Sequence, residues 1–193
     1  MRRITQLCTL AVSVLAISAV AAETLSAQAS ANPRPEIGFR GGLTVYSEDG
    51  SSTSVLSFPG GGIFFMSSTV HAMMFVRPTL ALEPQVGFLR VGNDGGSSGL
   101  FTGAMQIDQF FGDPSAGSVF GLLNVGFTTG FGSGSNDSIY AAGGGVGYRT
   151  IVSETLGVRV EGRYRRLFGD EGSGLNEFSV LVGLGTVLGH SAR

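Results

Sequence analysis

The chain has 193 residues and a formal net charge of −2, and only 13% of its residues are charged, where an average soluble domain carries about 25%. It has 32 glycines, a single cysteine and no lysine, and its mean hydropathy is +0.28. So small a net charge gives no sign of nucleic acid or any other strongly charged partner, and one cysteine excludes a disulfide framework or a thiolate metal cluster.

In chain order, the first element is an export signal. Met1-Arg2-Arg3 is a short basic segment, Leu7 to Ala22 carries no charge, and small-residue cleavage patterns follow at Ala19-Val20-Ala21 and Ala27-Gln28-Ala29. This is the organisation of a secretory signal peptide. Residues 1–29 are assigned to it, with cleavage after Ala21 or Ala22 as the alternative, and 30–35 form a short polar lead. Cys8 begins the apolar segment instead of ending it, which argues against a lipid anchor, and the mature chain then holds no cysteine.

Beyond the signal no apolar run reaches the roughly 18 residues of a membrane helix. Alternation takes over. In EIGFRGGLTVY, Ile37, Phe39, Leu43 and Val45 share one parity while Glu36, Arg40 and Thr44 share the other. TLALEPQVGF, FTGAMQIDQFF, GVRVEGRYRRLF and NEFSVLVGLGTVL repeat the pattern, the period-two signature of strands. Polar Gly- and Ser-rich loops begin at Ser47, Gly92, Phe131 and Gly169, and plainer connections lie at Ser67 to Pro78, from Gly112 and from Thr150. The result is an all-β, eight-stranded antiparallel meander with strands near 36–46, 53–66, 79–91, 100–111, 118–129, 138–149, 157–167 and 176–188. The barrel is assigned to 36–189 and a tail to 190–193.

A soluble barrel, apolar inside, and a transmembrane barrel, apolar outside, both fit an eight-stranded meander. Charge distribution favours the second. A soluble exterior calls for many Lys and Glu, whereas the polar parity here is mostly Gly, Ser, Thr and Ala with a few Arg and Glu. That suits a narrow lumen in which small residues make room for a few long ones. Arg40, Glu83, Arg159, Glu161 and Arg163 are therefore expected to form an ionic network in the lumen, with Arg165 also pointing inward. Leu82, Val86, Ile107, Leu123, Val160 and Val182 are expected to face lipid.

The run YAAGGGVGYRT, a short turn, LGVRVEGRYRRLF, a Gly-rich loop and NEFSVLVGLGTVLG resembles the last three strands of the small bacterial outer-membrane β-barrel domain family, related in architecture to OmpA and OmpX. The resemblance spans roughly Glu36 to Leu188. It implies an outer-membrane location, long loops outside the cell, short periplasmic turns, and dependence on the barrel-insertion machinery during assembly. Two features depart from the family pattern. The chain runs past Leu188 to Arg193 in place of a terminal aromatic, and Pro84 falls in mid-strand, with Pro59 near it across the hairpin, where a local bulge is expected, with a misplaced strand as the alternative.

Chemistry-bearing motifs are few. His71 near Ser67 and Ser68 is the one faint acyl-transfer candidate, and a solvated turn is the plainer reading. Asp49, Asp94, Asp137 and Glu171 all fall at the loop end, but their spacing matches no calcium loop. GGGVG at Gly143 precedes no helix, so its glycines are expected to admit bulky lumen neighbours instead of phosphate. No catalytic, cofactor or metal residues are assigned. The expected role is a noncatalytic barrel, structural or binding through its loops, with a narrow ion or small-solute pore and a lipid-modifying enzyme as alternatives. The expected partners are outer-membrane lipid and lipopolysaccharide, with no nucleic acid. Parity turns Arg166 outward at headgroup height beside Tyr164 and Phe168, a candidate contact for the phosphorylated glycolipid of the outer leaflet. Pairing of Arg166 with Asp170 or Glu171 is the alternative.

Overall fold

Strands joined by short polar interruptions pair with their sequence neighbours, and a sheet of eight such strands removes its edges by closing on itself. The computed structural model describes residues 33–48, 51–57, 69–93, 96–132, 138–169 and 174–188. The signal segment, the tail, Pro59, His190 and the four loop acids lie outside them.

Nine strands appear among the described residues: β1 (Glu36–Glu48), β2 (Ser51–Ser57), β3 (Thr69–Arg77), β4 (Leu80–Asn93), β5 (Gly96–Phe110), β6 (Ser118–Gly132), β7 (Ser138–Ser153), β8 (Leu156–Phe168) and β9 (Asn176–Val187). All pair antiparallel, and β1 pairs with β9 from Glu36 opposite Val187 to Ser47 opposite Asn176, which closes the barrel. β2 and β3 share one position beside β1: β2 covers Gly42 to Glu48 and β3 covers Glu36 to Arg40. The wall therefore has eight positions.

The second strand departs from expectation. Of the strand expected at 53–66, residues 53–57 lie in β2 and 58–66 lie outside the described residues, while in place of the connection from Ser67 to Pro78 the chain forms β3 at Thr69–Arg77, with the turn confined to Pro78 and Thr79. The physical reason lies in the inner face of β3. Met73 and Phe75 point into an apolar cluster with Ala81, Phe110, Phe120 and Leu122 at the short-turn end of the lumen, so the half of β3 from Met73 to Val76 is apolar on both faces and alternation is confined to Thr69 through Ala72. His71 consequently sits in a strand, 1% exposed, instead of in a solvated turn. Pro84 lies within β4 opposite Met105. On its other side the β3–β4 ladder skips Glu83 and Pro84 without changing register, while the bulge falls between Phe75 and Arg77. A proline lacks the N–H that the missing rungs need.

Burial is inverted relative to a soluble protein. Arg40, Arg149, Arg159 and Arg165 are among the largest fully buried side chains, whereas Val86, Val146, Val160, Val180 and Val182 are about half exposed. An apolar belt with a polar interior is the arrangement of a transmembrane barrel. Strands of 12 to 16 residues, apart from split β2 and β3, exceed the roughly 9–11 that a tilted strand needs to cross hydrocarbon. Register also aligns an aromatic band on the loop side. Phe88 stands opposite Phe101, Phe127 opposite Tyr140, Tyr140 opposite Phe168, and Tyr164 opposite Phe178. Tyr148 and Phe111 lie exposed at the turn side, so aliphatic residues fill the wall between two aromatic levels, as a bilayer's interfaces demand.

Candidate functional site

The lumen is the most elaborated region of the molecule, and period two puts it there. Every second residue of β8, from Arg159 through Glu161 and Arg163 to Arg165, points inward. On β7, Arg149 faces Arg159, and Gly147, Gly145 and Gly143 face Glu161, Arg163 and Arg165. A side chain on Gly147 would run into the Phe120 ring, whereas one on Gly143 or Gly145 would first meet the β8 backbone at Tyr164 or Gly162, so the GGGVG run makes room for a lumen ring at one end and for close approach of β8 at the other.

The lower layer of the lumen is densely paired. Arg40 reaches Glu83, donates to Glu161 at 3.0 Å and donates to Gln106 at 3.1 Å. Arg159 contacts Glu83 and Glu161 and donates to Asp108 at 3.0 Å. Its guanidinium stands over Phe120, 4.8 Å from the ring centroid. Gln85 donates to Glu83 and to Gln106, and Gln106 to Asp108 at 2.8 Å. Buried charges of opposite sign with their lone pairs satisfied are tolerable, and single ones are costly. Four of the five expected network residues, Arg40, Glu83, Arg159 and Glu161, thus meet in one cluster.

The fifth, Arg163, is buried but stands apart. Its nearest carboxylate oxygen, Glu177 Oε1, is 3.8 Å away, and Nε, Nη1 and Nη2 make no hydrogen bond among the described residues. Arg165 holds Glu177 instead, with Nε and Nη2 donating at 2.6 to 2.9 Å, and Nη1 donates to the Asn124 carbonyl at 3.2 Å.

Sequence reasoning put Glu36, Gln106, Asp108 and Arg165 on the inward parity without assigning them to the network, and it missed Arg149 and Glu177. Arg149 binds Glu36 through Nε at 3.1 Å and Nη2 at 2.7 Å, and through Nη1 it donates to the Pro114 carbonyl at 2.6 Å. One guanidinium thereby ties the β5–β6 turn and the first residue of β1 across the short-turn mouth of the barrel. The turn itself is locked by Asp113, whose carboxylate accepts from the Ser115 N–H at 2.8 Å, and by Gly117 at a φ of 111° that only glycine adopts readily. The signal for Arg149 was present: it shares the parity of Gly147 and alternates with exposed Tyr148.

His71 lies beside this mouth, its Nε2 3.8 Å from Glu36 Oε1, and neither ring nitrogen is hydrogen-bonded among the described residues. Ser67 and Ser68, its candidate hydroxyl partners, lie outside the described residues, as do Asp49, Asp94, Asp137 and Glu171.

At the outer rim Arg166 is half-buried and outward in parity. Its Nη1 donates to Asn176 Oδ1 at 2.7 Å, and the Tyr164 hydroxyl donates to the same oxygen at 2.8 Å. The Tyr164 and Phe178 rings pack at 4.9 Å, and Phe168 continues the band. Below them an apolar groove of about 440 Å³ runs along the outer wall, floored at Gly144 and Gly162 and flanked by Leu43, Val146, Tyr164 and Phe178. Asp170 and Glu171, the other expected partners of Arg166, lie outside the described residues.

No family model and no curated protein matches the sequence. Among solved structures, Neisserial surface protein A aligns with a TM-score of 0.59 at 10% identity, covering 80% of this chain and 97% of its own. Ail, the attachment invasion locus protein of Yersinia pestis, aligns at 0.47 and 11% identity over 82% of this chain and all of its own. The N-terminal β-barrel domain of Pseudomonas aeruginosa OprF aligns at 0.46 and 13% over the same shares. The fold is that of the small eight-stranded outer-membrane barrels.

Proposed function

We propose that this protein is an exported, noncatalytic barrel of the bacterial outer membrane, whose lumen is a structural brace and whose outer rim and loops do the binding. The observation that carries this reading is the inversion of burial: an aliphatic wall between two aromatic levels encloses paired arginines and carboxylates. A brace fits better than a conduit, because the ionic layer and the apolar cluster beneath it occupy consecutive levels of the lumen. A lipid-modifying activity gains no support from His71, which is enclosed within the barrel away from any lipid substrate.

The rim reading assigns Tyr164, Arg166 and Phe168 to the phosphorylated glycolipid of the outer leaflet, lipopolysaccharide. Among the described residues Asn176 steadies the Arg166 guanidinium through Nη1, and a guanidinium has further donors for phosphate. The apolar groove below has the chemistry to take an acyl chain. Two measurements test the proposal. The protein should fractionate with outer membranes as a heat-modifiable band, and a mature chain that stays monodisperse without detergent would overturn the location. Arg166→Gln should then lower copurifying lipopolysaccharide several-fold with the heat-modifiable band intact. Unchanged lipid retention would favour pairing of Arg166 with Asp170 or Glu171 in the adjoining loop.

A further inference from the structure

The charges of the lumen do not balance layer by layer. The lower layer sets Arg40, Arg149 and Arg159 against Glu36, Glu83, Asp108 and Glu161, whereas the layer above it sets Arg163 and Arg165 against Glu177 alone, among the described residues. Glu177 already accepts four hydrogen bonds, three of them on the oxygen nearest Arg163. Its Oε1 accepts from Arg165 Nε and Nη2 and from the Ser179 hydroxyl at 2.9 Å, and its Oε2 accepts from Arg165 Nη2 at 2.6 Å. Glu161, the other carboxylate near Arg163, is engaged by Arg40 and Arg159. Ser179, directly opposite Arg163 in the ladder, has its oxygen tied to Thr44 and Glu177. The three guanidinium nitrogens of Arg163, 3% exposed, are therefore left without an acceptor, and so is the amide nitrogen of Asn124, whose carbonyl Arg165 holds.

The described lumen as a whole sets five arginines against five carboxylates, but within this layer one positive charge is left over. That local excess, guanidinium donors without acceptors and exclusion of bulk water are together the description of an anion site. We infer that Arg163 binds a small monovalent inorganic anion of the halide class within the upper lumen. A single charge matches the surplus of the layer. The size limit follows from the crowding by Arg165, Ser179 and Glu177. The carboxylate of Glu177 at 3.8 Å disfavours a multivalent oxyanion, whose extra charge it would repel. Toward the loop end the lumen is closed by the buried cluster of Tyr46, Ala141 and Leu167, and on the β5–β6 side by the bonded hydroxyls of Thr102 and Thr128 at 2.9 Å, so an anion held here is shielded from bulk solvent. The site depends on lumen geometry and not on the glycolipid reading, so the two stand or fall separately.

The test uses folded full-length protein purified from membranes. Crystals grown in sodium bromide should show an anomalous peak in contact with the Arg163 guanidinium. The midpoint of heat-induced unfolding should be several degrees higher in sodium chloride than in sodium gluconate of equal ionic strength, since gluconate is too large to enter. In Arg163→Gln that difference should disappear. Equal wild-type midpoints in the two salts, or a chloride effect of full size in Arg163→Gln, would overturn the inference and leave water as the partner of Arg163. Should the variant fail to fold, a bromide peak absent from Arg163 in the wild type overturns it alone.

Discussion

At the scale of single residues, the lumen divides into groups that share partners and groups that have none to share. Glu83 is the clearest sharer, since both Arg40 and Arg159 rest on it. Glu83→Ala leaves two buried guanidiniums competing for Glu161 and Asp108, and the expected loss is about 3–5 kcal/mol, measured by urea unfolding of the barrel in lipid vesicles. An unchanged unfolding midpoint would mean that water takes over the carboxylate's place. Much of this cluster was legible beforehand, because parity alone separates Arg159 and Glu161 from Val158 and Val160. Pairing was not legible: nothing in the spacing of Arg163 and Arg165 along one strand tells which of them captures Glu177. That choice depends on the cross-strand register, in which Arg165 faces Glu177 and Arg163 faces Ser179.

At the scale of elements, a strand announces itself only where its two faces meet different surroundings. β8 and β9 alternate without a break because one face meets charged or glycine-rich lumen and the other meets the apolar belt. β3 was hidden because its inner face, Met73 and Phe75, meets the aromatic cluster of Phe110 and Phe120, so the same rule that revealed seven strands concealed the remaining one. The turns followed their local chemistry more closely, as Asp113 and Gly117 illustrate. A face-specific test follows. Val160 is 46% exposed and flanked on its strand by Arg159 and Glu161, so Val160→Arg should cost about 2–4 kcal/mol near the bilayer midplane. The same substitution at Tyr164, close to the interface, should cost much less. Equilibrium unfolding in vesicles compares the two, and equal costs would remove the depth gradient that a membrane imposes.

At the scale of the whole molecule, the apolar cluster, the ionic layer and the Arg149 latch fill the lower half of the lumen in succession. Planar bilayers containing the folded protein should accordingly show no large steady conductance. A porin-sized current would require this whole column to rearrange. The charge row that fills the lumen also bears on how the molecule comes to exist. Before β1 meets β9 the chain is an open sheet with Arg40, Arg159, Arg163 and Arg165 along one surface, and its two outermost strands still lack ladder partners. Hydrocarbon accepts neither bare charge rows nor unpaired backbone. Neighbouring hairpins link residues close in sequence, but the joint between Glu36 and Val187 spans nearly the entire barrel, which makes it the slowest to find. The sheet therefore cannot enter the bilayer strand by strand: curling up and going in must be a single event, with the side destined for the interior kept wet until the seam is joined.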